Sequence, residues 1–315
     1  MTGTEHVVVA GGAGFLGSHV CDRLIGRGAR VTCLDDLSTG DRQNIAHLDD
    51  HDRFRFVECD VVELDEHGDL GLDPVTSVMH LASPASPPEF LSRPLDTLLV
   101  NSVGTNRLLD LARHHDARFF LASTSEVYGD PLVHPQPEDY WGNVNPHGER
   151  SVYDESKRFA ESMTMTYHRT FGLEVRIVRI FNTYGPRMQP DDGRAITNFV
   201  HQALAGEPIT VYGDGSQTRS FCYVDDEVDG FLALLDGDHV GPINIGNPHE
   251  FTMLELAALV AELIGSTAGI VHLPLPSDDP RVRQPDITRA RELLGWSPTV
   301  ELREGLAKTI EWFRS

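Results

Sequence analysis

At 315 residues the chain is long enough to bury a substantial core, and its net charge of −22 argues against nucleic acid or an anionic membrane as partner. Its 40% hydrophobic and 23% charged residues are ordinary for a soluble globular protein. The acidity reads first as solubility, and it leaves room for an anionic small substrate gripped by a few local arginines.

Cys21, Cys33, Cys59 and Cys222 have neither paired nor metal-like spacing, which predicts free thiols in a reducing cytosol. The 15 histidines include no His-Glu-x-x-His or comparable helical pair, so no metal is expected. No apolar run approaches the ~20 residues that span a bilayer. The chain also enters its first strand without a basic-then-apolar leader, and a cytoplasmic protein is expected.

Residues 6–10 form a short apolar strand of the kind buried in a parallel sheet. Gly11, Gly14 and Gly17 follow in G-x-x-G-x-x-G spacing, with Phe15 and Leu16 opening a helix through Val20, Leu24 and Ile25. Small residues there let the backbone turn tightly and approach a pyrophosphate at the positive end of the helix. A second strand over 30–34 ends at Asp35, about 20 residues past the loop. A carboxylate at that place accepts from ribose hydroxyls and repels a 2′-phosphate. A bare glycine pattern is weak evidence, and Asp35 with Asp36 reads equally as a turn. Strand, loop, helix, strand and acid in that order predict an NAD site rather than an NADP site.

Strands are expected over 54–59, leading to Asp60 and Val61 beside an adenine, and over 77–82. The Pro-rich loop at 83–88 then stands at a strand's carboxyl end, where α/β proteins bind ligands; a rigid connector is the plainer reading. Residues 94–114 predict one helix with Leu95, Leu98, Leu99, Val103, Leu109 and Ala112 on or near one apolar face. That face is buried inside the domain or turned to a second copy. A buried strand over 118–122 gives way to hydroxyls and a carboxylate at 123–126. A long helix starts near Tyr153, because apolar residues recur at Ala160, Met163, Tyr167 and Phe171. Another strand spans 174–180. Further on, helices are expected at 195–205, from Asp225, and over 252–264, 287–294 and 301–313, with a strand at 209–211. The fold expected is α/β, with a Rossmann-like doubly wound parallel sheet in an NAD-binding domain over 1–181. Residues 182–315 form a smaller α/β substrate-binding lobe, interleaved with the first.

Tyr153 and Lys157 fall one turn apart on one helix face. An ammonium beside a phenol favours phenolate and lowers the Tyr pKa, making a base for a sugar hydroxyl whose carbon loses a hydride. Tyr-x-x-x-Lys alone is weak, and a surface pair is its bland reading. Only two lysines, Lys157 and Lys308, occur among 26 basic residues, however, so a Lys at 157 points to a tunable ammonium.

Longer runs are more specific: HLASPASPP at 80–88, ASTSEVYGD at 122–130, EDYWG at 138–142 and RIFNTYGPR at 179–187. GDGSQTR at 213–219 and Asp-Asp-Pro at 278–280, with Arg283, Pro285 and Asp286, continue the pattern. Over essentially its whole length the chain resembles the extended short-chain dehydrogenases/reductases acting on nucleotide sugars, and within them the UDP-glucuronate decarboxylase branch. Thr124, Ser125 and Glu126 carry that choice. A 4,6-dehydratase of the family has Asp-Glu after the Thr, the Asp serving as acid for water loss; the Ser hydroxyl here is a poor donor to a leaving hydroxide. A 4-epimerase of the family usually lacks a carboxylate at the second place.

The resemblance implies oxidation of UDP-glucuronate at C4 by bound NAD, loss of carbon dioxide and re-reduction to UDP-xylose, or release of the UDP-4-keto-pentose. It implies a catalytic set of Thr124, Ser125, Glu126, Tyr153, Lys157 and Arg283, with Glu126 and Arg283 assisting decarboxylation and C5 protonation. Around NAD it places Gly11, Gly14, Phe15, Leu16, Gly17, Asp35, Asp36, Thr39 and Gly40. Asp60, Val61, Leu81, Ser83, Asn101, Tyr153, Lys157 and Thr183 complete that set. Ser86, Arg150, Asn182, Thr210, Tyr212, Arg219 and Arg283 are the implied substrate contacts, Arg219 being suited to a diphosphate. A homodimer is also implied. Ser156 and Leu99 depart from the pattern, where many decarboxylases have Gly and some relatives have Lys. The competing readings are a dehydratase or epimerase of the same family, and a non-catalytic NAD-sensing scaffold; an intact Thr124, Tyr153 and Lys157 argues against the scaffold.

Overall fold

The computed structural model describes residues 5–65, 70–274 and 282–315. The matched run at 278–280 lies outside them. The first half alternates as expected: β1 (His6–Ala10), α1 (Phe15–Gly26), β2 (Arg30–Asp35), β3 (Phe54–Glu58) and β4 (Ser77–His80). Then come α2 (Pro87–Ser92), α3 (Pro94–Leu99), α4 (Thr105–His114), β5 (Arg118–Thr124), α5 (Ser151–Phe171) and β6 (Val175–Ile180). All these strands pair in parallel, in the order β6-β5-β4-β1-β2-β3. The order reverses direction between β1 and β4, and α/β proteins open a ligand crevice at such a point.

Alternate residues of one strand enter opposite cores, as the period of two requires. Val7, Val9 and Phe120 join the cluster containing Val20 and Leu24 of α1. Val8, Ala10, Phe119 and Leu121 join the cluster containing Leu108, Leu109 and Ala112 of α4 and Ala160 of α5. Each sheet face is therefore covered by helices, which explains strands that are apolar on both sides.

Beyond residue 182 the order is β7 (Thr183–Tyr184), α6 (Ala195–Leu204), β8 (Ile209–Tyr212), β9 (Thr218–Ser220), β10 (Cys222–Tyr223) and α7 (Val224–Asp236). It continues with β11 (Pro242–Ile245), β12 (Glu250–Thr252), α8 (Met253–Ile264), β13 (Ile270–Leu273), α9 (Thr288–Leu294) and α10 (Leu302–Arg314). Small two-stranded ladders, β10-β7, β12-β9 and β13-β8, build the lobe. β11 instead pairs in parallel with β6 as the seventh strand of the main sheet. Val228 and Phe231 of α7 pack in the same cluster as α1, so this helix also serves the first half.

Two expectations need correction. Residues 94–114 are not one regular helix, because a π-helical turn, Val100–Gly104, separates α3 from α4. The wider turn rotates the apolar face: Leu108, Leu109 and Ala112 are buried, whereas Leu95 is 70% exposed and Leu98 and Leu99 are also exposed. The Pro-rich run is not all loop either, since Pro87 and Pro88 open α2. Proline tolerates the first helical turn because its missing N–H has no helical partner there.

Asp226 of α7 ties the C-terminal segment down. Its carboxylate accepts from Thr299 N (2.9 Å), Thr299 Oγ1 (2.8 Å) and Val300 N (2.8 Å), and its carbonyl accepts from Trp296 Nε1 (2.9 Å). Replacing Asp226 by Ala strands the two Thr299 donors and Val300 N, while the Trp296 bond to the backbone carbonyl stays, and should cost about 2–3 kcal/mol of stability, read from the urea midpoint at unchanged slope.

Candidate active site

The carboxyl ends of β1, β2, β4, β5 and β6 open into a cleft of about 480 Å³. At its floor, Gly11 has φ +81°, and a Cβ there would come within 2.6 Å of Ala82 N. A Cβ on Gly17 would lie 2.0 Å from Gly11 O, so the turn and the helix close on each other without room for a side chain. Gly14, extended at φ −73° and ψ 178°, caps α1 and has no side chain to satisfy its first N–H groups. A helix start of this kind suits a phosphate. Asp35 accepts from Ala13 N (2.8 Å) and Leu37 N (2.9 Å), which aims the carboxylate along the cleft wall. Burial raises its pKa against the pull of those N–H groups. A tight glycine turn, an uncapped helix start and an acid at the end of β2 together fit a dinucleotide.

Phe15, Leu16, Asp36, Thr39, Gly40, Asp60, Val61, Leu81, Ser83 and Thr183 also line the cleft. Asn101 stands behind the lining. Its amide donates to Ser83 Oγ (2.9 Å) and Ser156 Oγ (3.2 Å), joining the π-helical turn to both the Pro-rich run and the Tyr/Lys helix. Ser156 therefore has a structural partner where Gly would have none. Leu99 is on the cleft wall.

β5 delivers Thr124 at its last position, and a short 3₁₀ turn, Ser125–Tyr128, follows. The Thr124 hydroxyl accepts from Glu126 N (3.2 Å), which fixes the turn, and its dipole favours the phenolate of Tyr153. Phe90 of α2 stacks on Tyr153 at a centroid distance of 5.0 Å and 4° between planes, holding the ring. Lys157 is buried, and its Nζ donates to Ala122 O (3.0 Å).

The expected depression of the Tyr153 pKa is corrected by this geometry. Burial and the Glu126 charge push the phenol up to about 12, with Thr124 and Arg194 pulling the other way. Lys157 is itself too dry to be a firm cation, and desolvation brings it down to about 7. Its nitrogen sits 5.9 Å from the Tyr153 ring centre and is committed to the Ala122 carbonyl.

Glu126 is held from two directions. Arg283 donates through Nη1 to Oε1 and through Nη2 to Oε2 (2.8 Å), and Arg150 Nη2 donates to Oε2 (2.7 Å). Burial alone would raise the carboxyl, but the two guanidiniums overcome it and hold Glu126 down at about 2. An acid this strong is an anchor for cations and a poor store of protons. Ser125 is buried on the cleft wall beside it.

Ser86 and Asn182 line the same cleft. Arg150 and Arg283 are not on the cleft lining themselves and meet it through Glu126, and Thr210, Tyr212 and Arg219 do not line it either: Thr210 is paired with Gln202, Tyr212 ends β8 in an exposed position, and Arg219 donates to Thr218 O (2.8 Å). Phe90, Arg194 and Gln189 were not read from the sequence. Gln189 donates to Thr39 O (2.7 Å) and Arg194 to Ala85 O (3.2 Å), so the loop after β7 is tied across the cleft to both halves of its rim. No periodicity or motif marks such long-range loop contacts.

The pattern of the NAD dependent epimerase/dehydratase family matches residues 7–246. The chain belongs to that family. It is 55% identical over 309 residues to UDP-glucuronic acid decarboxylase 1 of Arabidopsis thaliana, covering 98% of this chain and 70% of that one. Among solved structures it is similar to UDP-glucose 4-epimerase of Thermotoga maritima with UDP-glucose, at a TM-score of 0.91 and 32% identity over 98% of both chains. It is also similar to UDP-glucuronic acid 4-epimerase of Bacillus cereus in complex with UDP-glucuronic acid and NAD. That match has a TM-score of 0.88 and 30% identity over 98% of this chain and 99% of the other. The Rossmann-type fold and the use of NAD follow for this member of the family.

Asp35→Asn removes the charge that repels a 2′-phosphate while keeping one acceptor. It should shift the NAD/NADP affinity ratio toward NADP by about tenfold, or ~1.4 kcal/mol, measured by titrating each cofactor.

Proposed function

We propose that the protein converts UDP-glucuronate to carbon dioxide and UDP-xylose through a 4-keto sugar acid, with Thr124, Ser125, Glu126, Tyr153, Lys157 and Arg283 as its catalytic residues. The observation that carries this reading is the ionised Glu126 with Arg283 and Arg150, set next to Thr124 and Tyr153. A neutral hexose would have no use for two guanidiniums at C6. A sugar acid brings the carboxylate they are built to recognise.

Bound NAD supplies the acceptor for the C4 hydride and later returns it, so the cycle has no net redox change. Tyr153 takes the C4 hydroxyl proton in its phenolate form, reached when the neutral phenol first gives up its own proton to unprotonated Lys157. The product carries a ketone at C4 and a carboxylate on C5, a β-keto acid. Its C5–C6 bond breaks with the electron pair moving into the ketone as an enolate. Arg283 and Arg150 orient the carboxylate, and the like charge of Glu126 disfavours it relative to neutral carbon dioxide. C5 then takes a proton from water, and reduction at C4, with Tyr153 returning its proton to the C4 oxygen, gives the pentose.

Leu95 and Leu98 of α3 and Phe159 of α5 are exposed, and α3 packs against α5. This apolar face supports a homodimer with a second copy of the chain. Four free thiols support a cytoplasmic protein.

Purified protein given UDP-glucuronate and NAD⁺ should release carbon dioxide and form a UDP-pentose without net NADH, followed by mass spectrometry and absorbance. Accumulated NADH with a keto-pentose would mean the same decarboxylation with early release. Turnover of a neutral hexose without carbon dioxide would overturn the proposal. Glu126→Ala should abolish carbon dioxide release, by at least about 100-fold (~2.7 kcal/mol), while still binding NAD. Changing Leu95 and Leu98 to Arg should give a monomer by sedimentation.

A further inference from the structure

Asp154 follows Tyr153 on α5, is buried, and has one carboxyl oxygen, Oδ1, buried with no hydrogen-bond partner. Few carboxylates survive in that condition, because an ionised oxygen out of water needs a donor or a cation close by. Asp154 N donates to Arg150 O (3.1 Å), one turn earlier on the same helix, and the guanidiniums of Arg150 and of Arg283, from the C-terminal half, are already engaged with Glu126. The cluster thus contains two guanidiniums and two carboxyl groups, of which Glu126 alone is held in the ionised form by direct hydrogen bonds.

We propose that Asp154 sets the charge of the sugar-acid site. As a neutral acid it leaves the guanidiniums one positive charge in excess of Glu126, open to an anionic sugar, and as a carboxylate it cancels that excess. This rests on the proposed function, since it takes the C6 carboxylate of the substrate as the anion received. Asp154 is in this sense a specificity-determining residue that acts through Arg150 and Arg283.

The groups facing Asp154 agree. Burial and the Glu126 charge from the turn after β5 push it up to about 7, against Arg150 at the start of α5 and Arg283 across the interface, with Glu155 on its own helix adding repulsion. Its neighbour Tyr153 remains a neutral phenol there. The acid form prevails below that pH, so affinity for an anionic sugar is full in mildly acidic solution. Above it, affinity falls roughly tenfold per pH unit. Lys157 titrates in the same range, and its share of the pH dependence is what remains when Asp154 is replaced by Asn.

The test uses the full NAD-loaded chain with Tyr153→Phe to stop turnover, and calorimetry of UDP-glucuronate and UDP-glucose from pH 6 to 8.5. The ratio of their dissociation constants should climb about tenfold from pH 7 to 8.5, and adding Asp154→Asn should flatten it to within twofold. A flat ratio with Asp154 intact, or an undiminished slope with Asn, overturns the proposal. If the Asn variant does not fold, Asp154→Ser takes its place with the same two outcomes. Carbon dioxide release by the unmodified protein is measured separately. A climbing ratio without release would remove the decarboxylase and leave the charge gate standing.

Discussion

Glu126 is a largely buried carboxylate in the turn after a central strand, and it stays ionised because two guanidiniums meet it there. Removing one partner from such a pair costs roughly 3–5 kcal/mol, since the other charge is left dry. Arg150 comes from the same half of the chain, but Arg283 comes from far beyond it. The C-terminal segment must therefore return to the sheet. Gln136 secures that return: its backbone exchanges hydrogen bonds with Gln284 and Asp286, and its side chain accepts from Gln284 N (2.9 Å). Asn244 of β11 adds donors to Gln136 O (2.9 Å) and Asp286 O (3.0 Å), and it accepts from the Tyr128 hydroxyl (2.7 Å). The site and the interleaving of the two lobes are one arrangement.

The same dryness sets the behaviour of Tyr153 and Lys157. Burial disfavours phenolate and ammonium together, raising one group and lowering the other. The pair as folded is close to neutral, and the hydrogen bond to Ala122 O fixes the Lys157 nitrogen. Phe90 contributes shape rather than charge, keeping the phenol ring from turning out of line.

What could be read from the sequence depended on the range of the interaction. β1, the glycine turn, α1, β2 and Asp35 are local and periodic, and they stand where the pattern puts them. Helices α5 to α10 also carry their own apolar repeat. The π-helical turn at Val100–Gly104 was hidden because one extra residue per turn leaves local composition unchanged while rotating the face. β11 looked like part of the second lobe because nothing in Pro242–Ile245 encodes its pairing with β6. The direction of the Tyr153 shift was misread for a related reason: Tyr-x-x-x-Lys records proximity, but burial is a property of the whole fold.

A net charge of −22 and an anion-binding site are compatible because they act over different distances. Surface charges fade within about 8 Å at physiological ionic strength, and most acidic groups of the described residues that pair with arginine do so near solvent. The guanidiniums of Arg150 and Arg283 reach Glu126 at 2.7 and 2.8 Å in a place where water screens them only weakly. There a single proton on a neighbouring carboxyl changes the local balance by a whole charge. An acidic exterior keeps the protein in solution, while two arginines and two acids decide which sugar the interior accepts.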